Sequence, residues 1–245
     1  DGVDLRDSAL VPSPPAATLK RASADAKDLG TLLVAALRRA KVRADLVVVA
    51  SGPKADVDGP IGGLDEFGHV LVRARLAHHD VWIEVTEPLA QAGQLAPTSR
   101  GRKALVIADD TTALVETPRS RSTDNVVHEV RTFEISEYGN SKVSRTLRAT
   151  GAPDLELRRW IRDSPADEVE AQLRELASEQ LLAPGFERYT TTATDDLATP
   201  FTVSMSANDS TRASTEREQL HAYLFPSDTT ERPDPSALDD EPRRS

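Results

Sequence analysis

The feature that most limits what this chain can fold into is the spacing of apolar residues between Leu29 and Ala40. Leu29, Leu32, Leu33, Ala36, Leu37 and Ala40 recur at intervals of 3, 1, 3, 1 and 3. That is the period of one face of an α-helix, and such a face must be buried against another element. Asp25 and Asp28 fall at the start of this helix, where negative charge complements the dipole. Arg38, Arg39, Lys41 and Arg43 bracket its end, where positive charge does the same. Gly30 lies in the first turns and costs up to about 1 kcal/mol relative to alanine. A glycine kept there predicts the close approach of something else.

Short apolar runs supply what the helix packs on. Leu46 to Val49 is continuous and β-branched, so it predicts a buried strand. Residues 51–64 are dense in Gly, Pro and Asp and predict a loop. Two β-rich runs, 67–76 and 81–86, are separated by the polar turn His78-His79-Asp80 and predict a hairpin. Residues 104–108 predict another buried strand. Residues 1–16 are polar and proline-rich and read as an extended lead-in.

The pattern changes at 117–125, which has no apolar periodicity and reads as a linker. Beyond it, alternation over 126–136 and 142–149 around a Glu137–Asn140 turn predicts a second hairpin. Ser164-Pro165 predicts a helix start, with Val169, Leu173, Leu176 and Leu181 as its apolar face. Residues 186–194, 201–206 and 221–225 predict further strands. From Pro226 on, the chain is acidic, proline-rich and aperiodic, which predicts disorder. The expected organisation is a mixed α and β piece over 1–118, a mostly β piece over 119–225, and a tail over 226–245.

Charge and composition narrow the function. The formal net charge is −10; a general nucleic-acid binder needs the opposite balance, so none is expected. No run approaches the roughly 18 apolar residues of a membrane span. There are no cysteines, which excludes disulfides, thiolate metal sites and thiol catalysis together. Adjacent His78 and His79 on a turn read as a solvated corner, so no metal and no cofactor are expected. Asp25 and Asp28 read as helix capping before they read as an acid pair. The chain starts at Asp1 without methionine and reads as a trimmed or processed piece.

Three local patterns then stand out in order. They are Ala24-Asp25-Ala26-Lys27-Asp28 at the helix start, Phe67-Gly68-His69-Val70 at a strand start, and Trp82-Ile83-Glu84-Val85-Thr86 on the paired strand. Together they resemble the transglutaminase-like superfamily of papain-type thiol enzymes. The likeness is to bacterial proteins whose transglutaminase-like core lies between β domains of unknown function. In that group the motifs run Gly-Asp-Cys-Lys-Asp, then Phe-Asn-His-Val, then Trp-hydrophobic-Asp-Pro-Thr. Asp25, Lys27 and Asp28 match the first, with Ala26 in the cysteine position. Phe67, His69 and Val70 match the second, with Gly68 for asparagine. Trp82, Ile83 and Thr86 match the third, with Glu84 for aspartate and Val85 for proline. The resemblance covers roughly residues 15–118.

The resemblance implies an α+β fold: a papain-like core with a helix packed on an antiparallel sheet, followed by a β-sandwich-like domain. Family cores carry more helix before the nucleophile than 25 residues allow, so the chain also reads as truncated at its N-terminus. The implied site is Ala26 in the nucleophile position, His69 as the base and Glu84 as its orienting carboxylate, with Asp25, Lys27 and Trp82 as binding residues. A thiol at a helix N-terminus ionises readily and a neighbouring histidine completes the pair. A methyl group forms no acyl-enzyme. The chain therefore reads as a pseudoenzyme, a peptide- or protein-binding or scaffold module.

One alternative is an acyl transferase or protease of this fold whose cysteine was replaced by Ala26. Another is a purely structural β-rich module. Departures at Gly68, Glu84 and Val85 favour natural loss, since silencing an enzyme requires none of them. The implied setting is extracytoplasmic, periplasmic or extracellular, with the cytoplasm left open. Oligomeric state is not legible.

Overall fold

The computed structural model describes residues 11–21, 24–50, 57, 66–217 and 219–223. The expected 226–245 tail lies outside the described residues, as do most of the 51–64 loop and the first ten residues of the lead-in.

The architecture is α+β, with antiparallel sheets and few helices. A short helix α1 (Pro15–Lys20) begins in the last two residues of the expected 1–16 lead-in, with Pro15 at its first position. Proline is tolerated there because the first N–H of a helix has no partner anyway. The periodic stretch forms α2 (Ala26–Arg39). Asp25 is its N-cap: the side chain accepts from the Asp28 N–H at 2.9 Å.

Strands β1 (Arg43–Val49), β2 (His69–Arg75), β3 (Asp80–Glu84), β4 (Lys103–Ile107) and β5 (Val115–Glu116) make a five-stranded sheet in the order β3-β2-β1-β4-β5. The predicted hairpin is the β2–β3 pair, with Val72 opposite Ile83 and Ala74 opposite Val81. β1 lies between β2 and β4, antiparallel to both. A strand with neighbours on both edges and cover on both faces reads as a continuous apolar run, as Leu46 to Val49 does.

Alternation divides the sheet's side chains into two sets. Val47, Val49, Leu71, Trp82, Ala104 and Val106 pack with Leu95 on one face. On the other, α2 contributes Ala26 and Val34 to clusters with Val48, Val70, Phe67, Ala44 and Val72. Gly30 is explained by this contact. A Cβ there would fall 2.5 Å from Leu46 Cδ1 and 3.1 Å from Val70 Cγ1, so even alanine would require the end of Leu46 to move aside.

Strands β6 (Val126–Glu134), β7 (Gly139–Thr150), β8 (Gly185–Thr191), β9 (Thr202–Glu216) and β10 (Gln219–Ala222) form a second sheet. Its order is β10-β9-β7-β6, with β8 also pairing β9. The sequence suggests a sandwich here. The described strands instead share one sheet, because β9 runs 15 residues and offers pairing positions to β7, β8 and β10.

Helices α3 (Ala152–Asp163) and α4 (Ala166–Gln180) precede β8. Only the second has a clear signal in the sequence. Ser164, read there as a cap for α4, occupies the C-cap of α3, its N–H bonding Trp160 O at 3.1 Å. Pro165 separates the two because proline cannot continue the first helix. Val169, Leu173 and Ala177 are the buried face of α4. The 117–125 stretch is not a loose linker at its start: Thr117 is buried, and its hydroxyl donates to Ser99 O and accepts from the Arg102 N–H.

The described residues divide into two compact units, one from within 1–129, 147–166 and 191–203, the other from within 130–146, 167–190 and 204–223.

Candidate functional site

The three sequence patterns fall at one end of the first sheet, within the first unit. β1 finishes there at Val49, paired with His69, the first residue of β2. α2 begins at the same end, its first residue Ala26 packed with Val48, Phe67 and Val70.

The site starts from the helix N-terminus. The first N–H groups of a helix lack internal partners and carry partial positive charge. Asp25 satisfies one of them and forms an ion pair with Lys27, which is itself buried. Asp28 is also buried and accepts from the Ser13 backbone N–H at 2.7 Å and from Arg21 at 2.7 Å. Burial alone would raise the Asp28 carboxyl. Hydrogen bonding from Ser13 and the charges of Lys27 and Arg21 outweigh it and hold the group below the usual carboxylate range. Asp28 thus ties the segment before α2 to its first turn, a stronger role than capping alone. Ser13 and Arg21 lie in a polar, proline-rich segment that shows no sign of this in the sequence.

His69 and Glu84 are brought together. Nε2 of His69 is hydrogen-bonded to Oε1 of Glu84. The other carboxylate oxygen, Oε2, accepts from the Ala96 N–H at 3.4 Å. Glu84 is almost fully enclosed, with 2% of its side chain exposed, whereas His69 retains 19%. Among the described residues Nδ1 of His69 has no hydrogen-bond partner. The imidazole is therefore held at one nitrogen by a buried acid.

The pairing is diagonal. Glu84 stands opposite Leu71, not opposite His69. A side chain one methylene longer than aspartate bridges the two-residue offset. Trp82 lies on the same face as Glu84, buried among Leu71 and Leu95.

Ala26 is 4% exposed, its methyl enclosed in the cluster with Val48, Val57, Phe67 and Val70. By strand alternation that cluster occupies the α2 face, whereas Glu84 shares the Trp82 face. Ala26 packs on Phe67 and Val70, which bracket His69 in the chain, while the imidazole turns toward Glu84. No nucleophilic side chain is available at this position. Among the described residues no group of three or more His, Asp or Glu side chains is arranged to hold a metal ion. Among the same residues no helix is long and apolar enough to cross a membrane.

Comparison with profiles of known protein families, with curated protein sequences and with solved structures finds no match.

Proposed function

We propose that this chain is a catalytically inert protein with a transglutaminase-like, papain-type core, working as a binding or scaffold module for a protein or peptide. The observation that carries this reading is the joint state of three positions. His69 keeps a buried carboxylate partner in Glu84, while Ala26 puts an enclosed methyl at a capped helix N-terminus. An acyl transfer of the thiol type needs a thiolate that attacks a carbonyl and a histidine that protonates the leaving group. On this reading His69 is the histidine and Glu84 its orienting acid, and Ala26 offers no attacking atom. Such a site can hold an amide-bearing side chain or a peptide group against His69 Nδ1 without turning it over. The same resemblance favours an extracytoplasmic setting.

The test is to restore the thiol. Ala26→Cys should react with iodoacetamide faster at neutral pH than an exposed cysteine placed at Ser136. The rate should fall again when His69→Ala is added. A thiol that labels at the speed of the control, with or without His69, would remove the basis of this reading. Titration of glutamine-bearing peptides against the unaltered chain and against His69→Ala then separates a binding module from a filled core.

A further inference from the structure

At the opposite end of the first sheet, where α2 finishes and β1 begins, cations outnumber the carboxylates that face them. Arg38, Lys41, Arg43, Asp45, Arg75 and Asp110 line an open cavity of about 440 Å³. Asp45, mostly buried, is shared by three guanidinium groups. Arg75 bonds its Oδ2 at 2.7 Å, Arg73 at 3.3 Å, and Arg38 reaches Oδ1 at 3.5 Å. Arg73 also lies 3.8 Å from Asp80. Even so, Nε of Arg73 is buried without any hydrogen-bond partner. Lys41 and Arg43 have no ion-pair partner among the described residues, and both are exposed. Five cations therefore face Asp45, Asp80 and Asp110, in a chain whose formal charge is −10.

Helix-dipole complementation does not account for this group. Arg38 turns away from its own helix end, donating to Ala44 O at 2.9 Å and to Asp45 in β1. We infer that the cavity between the end of α2 and β1 binds a phosphate group, free or as a small phosphomonoester, on Lys41, Arg43, Arg38 and Arg75. A dianion matches the excess of two positive charges. A tetrahedral group presents oxygens in several directions at once, as donors arriving from a helix end, a turn and two strands require. A carboxylate offers two oxygens in one plane, and Asp45 already supplies one. Guanidinium forks suit phosphate oxygens in paired contacts, and the ammonium adds a point charge.

Lys41 sharpens the test. Its φ is +67°, the left-handed region that favours glycine. It sits where helix-ending turns place that residue, with Lys41 N bonding Arg38 O at 3.0 Å and Val42 N bonding Leu37 O at 2.9 Å. Lys41→Gly should relieve the backbone and remove the cation together.

The experiment is calorimetric titration of the full chain with inorganic phosphate, glycerol phosphate and acetate at fixed ionic strength. The chains compared are the unaltered one, Lys41→Gly, and Arg43→Gln, an exposed side chain whose loss leaves the core intact. Phosphate should bind one to one and at least about tenfold more tightly than acetate, with each variant weakening it about three- to tenfold. Lys41→Gly should also melt higher than the unaltered chain in phosphate-free buffer while gaining less from added phosphate. Binding of glycerol phosphate equal to or tighter than that of inorganic phosphate assigns the site to a phosphomonoester. The reverse order assigns it to the free ion. Phosphate binding no tighter than acetate, or unchanged in both variants, would overturn the inference.

Discussion

Glu84 stands opposite Leu71 in the ladder between β2 and β3, yet its carboxylate reaches Nε2 of His69, two residues away along β2. The second oxygen holds the Ala96 N–H. One buried side chain therefore orients the imidazole and anchors the segment that follows β3.

Two substitutions separate those roles. Glu84→Ala should lower stability by about 1–3 kcal/mol, since it leaves buried polar partners unmatched. Glu84→Asp should keep the charge but fall short of the diagonal, so it should free His69 while disturbing the fold less. Urea midpoints measure the first effect, and the exchange broadening of the His69 ring protons in NMR measures the second. An alanine variant as stable as the parent would show that the pair contributes nothing to the fold.

Asp28 makes stability depend on acid. Its carboxyl is held below the usual range in the folded state and is ordinary in the unfolded chain. Its contribution is therefore complete above the unfolded value and is lost as pH falls through the lower, folded one. Asp28→Asn should be less stable than the parent at pH 7 and converge with it as pH drops below about 4. Parallel denaturation curves from pH 7 to pH 2.5 give the comparison. A constant gap between the two proteins would contradict the assignment.

Gly30 sets the distance between α2 and the sheet. Alanine at this position gains about 1 kcal/mol in helix propensity. Against that, its Cβ would press on the movable end of Leu46 and on the stiffer Val70. Gly30→Ala should thus change stability by less than about 1 kcal/mol. Gly30→Val has no such room and should cost about 1–3 kcal/mol from overpacking. Thermal melts of both variants decide it; a valine variant as stable as the alanine one would mean that the helix slides away freely.

Gly151 is the less forgiving glycine. Its φ is +70°, and a Cβ there would fall 2.2 Å from the backbone oxygen of Asp124. Backbone atoms cannot rotate aside as the end of a leucine can. Gly151→Ala should cost at least about 2 kcal/mol through strain and displacement of the turn before α3. A measured loss under half of that would show the turn to be adaptable.

Arg158 is fully enclosed and meets Asp154 at 2.8 Å, with its other N–H groups on the carbonyls of Ala193, Thr194 and Thr199. Its guanidinium also lies 4.9 Å from the centre of the Phe201 ring. Arg158→Met should cost about 3–5 kcal/mol, because the Asp154 charge stays buried without its counter-charge. Adding Asp154→Asn should recover part of the loss, since the amide oxygen can still accept from the Phe201 N–H that Asp154 now binds. Guanidinium denaturation of the single and double variants tests this, and a double variant less stable than Arg158→Met would refute it.

The elements that were legible are those whose signal is local. The period of Leu29 to Leu37 located α2, and Asp25 and Asp28 marked its start. Continuous β-branched runs located β1 and β4, and the His78–Asp80 turn located the β2–β3 hairpin. Helix α3 was missed because Pro153, Asp154, Glu156 and three arginines dilute its apolar period. The strand expected over 201–206 continues to Glu216, through Asn208, Asp209 and Ser210, residues of low β-propensity that give no strand signal. There Asp209 takes a positive φ within the strand.

The sequence alone determined that this chain has no thiol, that α2 starts near Asp25 and Asp28, and that His69 and Glu84 lie on paired strands. All of these depend on residue identity or on neighbours within a turn or a hairpin. Only the tertiary structure decided which face each group takes and which distant groups meet it. Asp28 is set by Ser13 and Arg21, Arg158 by carbonyls more than 30 residues away, and Asp45 by arginines from α2 and β2. Such pairings leave no period in the chain, because a buried charge selects its partners by proximity in the folded state and not by spacing along the sequence.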